Sequence, residues 1–152
     1  MDLTRRQFIK FITISTTSLT AFFHPIYSYA TTWKKHAFNA RTLTQSYRAL
    51  FSTTEFITTS KILLQLPEPI NNPNRLPLTV KVKNLNVENI YIFVRDNPQP
   101  LAAIFTIPTK TLPHISTQIK VNKSTELIVI VKSADKLYKA SRTINVAGLN
   151  CG

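Results

Sequence analysis

Glycine is nearly missing from this chain. Two of its 152 residues are Gly, and both, Gly148 and Gly152, stand at the extreme C-terminus. A glycine-rich loop that cradles phosphate is therefore excluded. Cysteine is scarcer still: Cys151 is the only one, so no disulfide can form within the chain. A lone cysteine in an exported protein either pairs with another chain or stays a reactive thiol. As the penultimate residue, next to the terminal carboxylate, Cys151 is poorly placed for the buried role that structural cysteines usually take. Acidic residues are few as well, 7 against 19 Lys and Arg, for a net charge of +12.

These scarcities remove several kinds of chemistry. Beyond residue 30 the acids are Glu55, Glu68, Glu88, Asp96, Glu126 and Asp135. They are spread singly, mostly near turns, and read as surface charges rather than a general acid/base pair. The histidines of that region are His36 and His114. One Cys and two His without ligand spacing make no metal site. A nucleophilic cysteine enzyme needs a base beside the thiol, and neither histidine is placed near the C-terminus. The reading is therefore no catalytic residues, no metal and no enzyme. A basic chain invites a nucleic-acid reading, but here the cations are scattered singly along strands and the chain carries an export signal. A solvated basic surface, or one that attracts anionic substrates or acidic partners, fits better.

The export signal lies in residues 1–30. Arg5 and Arg6 are followed by an apolar residue and Lys10, then by a mildly apolar run from Phe11 to Phe23, and Ser28-Tyr29-Ala30 has the small residues of a cleavage site. The arginine pair resembles a twin-arginine signal, which predicts a periplasmic location. The apolar run is shorter than the roughly 20 residues that a membrane span needs. Removing residues 1–30 leaves 16 basic and 6 acidic side chains, a net charge of +10. The remaining length suits one domain with a single core.

Along that domain the hydrophobic period changes once. Thr31 to Asn39 is polar and basic and reads as a loose leader. Leu43, Tyr47, Leu50 and Phe51 recur at helical spacing, which predicts a short helix over 40–51. Strands follow at Lys61–Leu66, Leu76–Lys83, Ile90–Arg95, Leu101–Ile107, Ile115–Val121, Leu127–Lys132 and Tyr138–Val146. The third of these segments is rich in aromatic and β-branched residues. Leu76, Leu78, Val80 and Val82 share one face of their strand, with Thr79, Lys81 and Lys83 on the other. Pro67 to Asn74 is a Pro- and Asn-dense loop, and Asp96-Asn97-Pro98-Gln99-Pro100 reads as a rigid turn. About seven strands without intervening helices predict an all-β fold: an immunoglobulin-like antiparallel β-sandwich with one short N-terminal helix. The Cys…Trp…Cys signature of antibody domains is missing.

The last predicted strand runs straight into Gly148-Leu149-Asn150-Cys151-Gly152. The domains expected are thus a signal over 1–30, a sandwich over 31–147 and an arm over 148–152, with Gly148 and Gly152 as its hinges. Fully extended, Val146 to Cys151 spans at most about 17 Å. An ordinary cysteine ionises near pH ~8.5, and the Gly152 carboxylate disfavours the thiolate further. A partner would have to activate the thiol in its own pocket. A thiol on a terminal arm of a domain without catalytic machinery is the pattern of a carrier protein.

These residues carry a family resemblance over essentially the whole chain. The signal, the helix around Leu43 to Phe51, Leu76-Pro77-Leu78-Thr79-Val80, Ile90-Tyr91-Ile92-Phe93-Val94 with Asn97-Pro98-Gln99-Pro100, and the tail together resemble the SoxY family, sulfur carriers of the periplasmic thiosulfate-oxidising (Sox) system. In that family a Gly-Gly-Cys-Gly-Gly arm carries sulfur intermediates as S-thiosulfonate and persulfide adducts of its cysteine. The resemblance implies an immunoglobulin-like sandwich, a heterodimer with a SoxZ-like subunit, and periplasmic sulfur-oxidising enzymes as further partners. It implies no cofactor beyond the sulfur intermediate bound covalently to Cys151. Gly148 matches the first arm glycine and Gly152 the one after the cysteine. Leu149 and Asn150 depart from the motif, and the final glycine is missing. The alternative reading is a SoxY-like exported module that docks to another periplasmic redox enzyme without covalent carriage.

Overall fold

A computed structural model describes residues 34–146. The signal with Arg5 and Arg6, and the arm with Gly148, Cys151 and Gly152, lie outside the described residues. Two helices come first, α1 (Lys35–Phe38) and α2 (Leu43–Leu50). The strands that follow are β1 (Ile57–Thr58), β2 (Ile62–Gln65), β3 (Leu76–Val82), β4 (Asn89–Val94), β5 (Leu101–Thr106), β6 (His114–Ile119), β7 (Thr125–Ser133) and β8 (Lys136–Ile144). They form a five-stranded sheet in the order β1-β8-β7-β4-β5 and a three-stranded sheet in the order β2-β3-β6. The expected immunoglobulin-like sandwich is the observed fold.

Alternation drives the packing. In β3 the even-numbered apolar set Leu76, Leu78, Val80 and Val82 is buried, while Pro77 is exposed and Thr79 and Lys81 half-buried. Those residues meet Ile90, Ile92 and Val94 of β4 and Leu127, Val129 and Val131 of β7 in the core between the sheets. The other faces of β4 and β7 are buried too. Tyr91, Phe93, Ile128 and Ile130 pack with Ala37, Tyr47, Leu101 and Leu137 in a second core. This explains the unbroken apolar runs of β4 and β7, which need cover on both faces. The helices supply that cover, so the architecture has three layers. An aromatic cluster joins them: the Tyr47 ring lies edge-on to Phe93 at 5.0 Å and to Phe56 at 5.0 Å, and Phe51 edge-on to Tyr91 at 4.9 Å.

Three expectations need correction, and one loop gains detail. The leader contains α1, whose buried Ala37 seals the second core. A four-residue helix is too short for its apolar spacing to stand out in the sequence. The main helix begins at Leu43 rather than 40, because Thr42 caps it by accepting from the Gln45 N–H at 3.2 Å. There is an eighth strand, β1, only two residues long, and it pairs parallel with β8 through Ile57 and Tyr138, so the larger sheet is not wholly antiparallel. The Pro- and Asn-dense segment is a loop as expected, and it ends in a 3-10 turn over Pro73–Arg75, set by the Asn72 side chain accepting from the Asn74 N–H.

With no glycine before residue 148, the tight turns use other residues at positive φ: Asn84 at 54°, Lys110 at 68° and Ala134 at 50°. Asn accepts this region more readily than Lys or Ala.

Candidate functional site

The region that matters most is where the chain leaves the sandwich. β7 and β8 pair from Ser133↔Lys136 to Thr125↔Ile144, so β8 delivers the C-terminus to the end of the sheet where β7 starts and β4 ends. Ile144 is fully buried, and two residues later the Val146 N–H donates to Ser124 Oγ at 3.0 Å. The last described residue is therefore held at a fixed point.

A polar frame holds that point. Buried Thr125 accepts from the Asp96 N–H at 3.1 Å and donates to Asp96 Oδ2 at 2.7 Å. Asn97 Nδ2 donates to the Lys120 carbonyl at 2.8 Å, and Asn97 Oδ1 accepts from the Asn122 N–H at 3.1 Å. The Val121 N–H reaches the Pro73 carbonyl at 2.8 Å. Arg95 closes the frame with an ion pair to Glu126 at 2.5 Å. The Asp96–Pro100 turn read from the sequence is thus a clamp on the 120–124 loop. Its partners lie 23 to 29 residues away, and sequence reading misses Asn122, Ser124 and Thr125 because no local pattern marks such long-range pairs. An Asn directly before Pro98 is the one signal available.

Beside this root lies a recess of about 270 Å³ lined by Leu66, Glu68, Ile70, Arg142, Thr143 and Asn145, among others. Arg142 pairs with Glu68 there, and its Nη1 donates to the Leu64 carbonyl at 3.2 Å. This ties the β8 edge to the loop after β2.

The histidines sit elsewhere. His114 starts β6 opposite Lys81, whereas the root end of β6 is Ile119 opposite Leu76. His36 lies in α1. The strand spacing puts about 17 Å between the two ends of β6. The acids are also dispersed: Glu88 pairs with Lys132 at 3.0 Å, a contact that raises the Lys132 pKa, and Glu126 and Glu68 pair as above. Among the described residues no three His, Cys, Asp or Glu gather where a metal ion would be held. No described helix is long and apolar enough to cross a membrane.

An immunoglobulin-like sandwich with its last strand running out into a terminal segment is the class that fold and root define. The family model for the sulfur oxidation protein SoxY matches residues 47–151. The chain belongs to the SoxY family. Among solved structures it resembles the sulfur carrier protein SoxY from Chlorobium limicola f thiosulfatophilum, with 30% identity and a TM-score of 0.64, over 75% of this chain and 99% of that one. No curated protein matches.

Proposed function

We propose that this protein is the sulfur carrier of a thiosulfate-oxidising system and that Cys151 holds the sulfur intermediate covalently for partner enzymes. The observation that carries this reading is the span of the family match, which runs through the described domain and ends on Cys151. The likeness to a protein described as a sulfur carrier supports it. The anchored root supports it as well, since a carrier needs a rigid body from which a short arm reaches out. From Gly148 to Cys151 is three residue steps, one more than in a Gly-Gly-Cys arm, and the Leu149 side chain makes the approach bulkier. The protein supplies no catalytic residue. It works as a heterodimer with a SoxZ-like subunit, and periplasmic sulfur-oxidising enzymes act on the tethered group. Residues 1–30, with Arg5 and Arg6, direct twin-arginine export. Residues 31–147 form the carrier domain and 148–152 the arm, with Gly148 and Gly152 flanking its movement.

The test is intact-mass analysis of the protein taken from the periplasm of cells oxidising thiosulfate. A sulfur adduct that disappears with Cys151→Ser, together with loss of thiosulfate oxidation in that strain, is the expected result. An unmodified thiol throughout, with full oxidation by the Cys151→Ser strain, would discard covalent carriage and leave a docking module.

A further inference from the structure

The two sheets present unlike outer faces. That of the five-stranded sheet is apolar and lies beneath the helices. That of the three-stranded sheet is polar, and its residues are exposed or half-buried. Strand register sets its side chains in rows. Leu63, Lys81 and His114 form one row, and Gln65, Thr79 and Ser116 the next, with Thr79 Oγ1 and Ser116 Oγ hydrogen-bonded at 3.1 Å. Beyond the first row the Lys83 N–H bonds to the Lys61 carbonyl, which places those two lysines side by side. At the root end, Arg75 and Lys120 directly flank the paired Leu76 and Ile119.

No carboxylate belongs to this face. β2, β3 and β6 contain no Asp or Glu, and none occurs between Glu68 and Glu88 or between Asp96 and Glu126. Glu68, Glu88 and Glu126 are each engaged by a cation of the five-stranded sheet or its margin: Arg142, Lys132 and Arg95. Lys61, Arg75, Lys81, Lys83 and Lys120 take part in none of the ion pairs among the described residues. Neighbouring strands are about 4.8 Å apart and alternate residues about 7 Å. Lys61, Lys81 and Lys83 therefore lie within roughly one Debye length of each other at physiological salt, ~8 Å. Their fields add, and the face attracts a complementary acidic surface.

We infer that the outer face of the β2-β3-β6 sheet is a docking surface for an acidic protein. A single-stranded nucleic acid would want a series of aromatic side chains for its bases to stack on, and the rows of this face hold one such ring, His114. A membrane would want a continuous apolar wedge, and the large apolar side chains exposed here are two leucines, Leu63 on β2 and Leu112 two residues before His114. Two leucines among cations suit a flat protein interface with a small apolar part and a charged rim. The location adds to the case. β3 starts at the arm root and runs about 17 Å to Lys81, a length similar to the reach of the tail. A protein seated on this face therefore has its near edge within reach of Cys151. That last step rests on the carrier reading, whereas the charge complementarity does not.

The probe is a decaglutamate peptide titrated into the ¹⁵N-labelled full chain carrying Cys151→Ser, which keeps thiol chemistry out of the experiment. Amide shifts should concentrate at the outward positions of β3 and β6. Affinity should fall at least about tenfold between 50 and 300 mM NaCl, as surface charge pairing requires. Lys81→Glu with Lys83→Glu should weaken binding at least about tenfold, and the milder Lys83→Gln should weaken it in the same direction. Lys136→Glu with Lys139→Glu, on β8, should leave it unchanged. Shifts centred on β8 or spread over all basic segments would overturn the docking face, as would no binding. Tighter binding to phosphatidylglycerol vesicles than to the peptide would overturn it in favour of a membrane. Each outcome is independent of whether Cys151 carries sulfur, which the intact-mass measurement reads separately.

Discussion

Tyr47 is where a single residue says most. Its ring packs against Phe51, Phe56 and Phe93, and its buried hydroxyl has no hydrogen-bond partner. Burial pushes its pKa up to about 12, with Arg95 pulling down and Glu126 pushing up. Below pH ~10 the phenol is neutral in both folded and unfolded chains and contributes no pH dependence. Between pH ~10 and ~12 the unfolded chain ionises while the folded one does not, so stability falls as pH rises, by about 2 kcal/mol in all. Tyr47→Phe should remove that component in denaturation curves at pH 9, 10.5 and 11.5. At pH 7 the variant should be as stable as the parent or more so, because an unsatisfied buried hydroxyl is lost. A steeper alkaline loss in the variant would contradict this account. The helical spacing of Tyr47 with Leu43, Leu50 and Phe51 could be read directly from the sequence. That its hydroxyl would be stranded could not, since this depends on Phe93, which lies far along the chain.

At the scale of elements, the lack of glycine has a measurable cost. The β7–β8 hairpin turns through Ala134 at φ 50° and Asp135, between the paired Ser133 and Lys136. A left-handed alanine costs about 1–2 kcal/mol, and glycine gives back part of any gain through its looser unfolded state. Ala134→Gly should therefore stabilise the protein by up to about 1 kcal/mol, read as a higher denaturant midpoint with an unchanged slope. A lower midpoint would show that the turn is held by something other than its backbone geometry. Strands were legible where the period was clean: β3, with its Leu76-Leu78-Val80-Val82 face, matches to within a residue at its end. β1 was not, because Ile57 and Thr58 become a strand only by pairing with Tyr138 and Lys139. The polar frame around Asn97 and Thr125 was hidden for the same reason.

At the scale of the whole molecule, the two cores are not independent. β4 and β7 point alternate residues into each, so Ile92 and Phe93, adjacent in sequence, support different layers. Phe93 is fully buried beneath α2. Phe93→Ala should cost about 3–5 kcal/mol. The loss should appear as one lowered transition, the same by near-UV and far-UV circular dichroism, because the helix layer and the sandwich share their central strands. Two separated transitions would mean that the helices form a unit of their own. The sheet that carries both cores also holds the last described strand. β8 pairs with β7 at nine positions, from Ser133↔Lys136 to Thr125↔Ile144. A pull on Ile144 along the strand loads all of those rungs in shear at once, whereas a sideways pull would open them one by one like a zipper. The sheet is in this sense a mechanical mooring: a pull along β8 has to break all nine pairs together before the last strand leaves the fold.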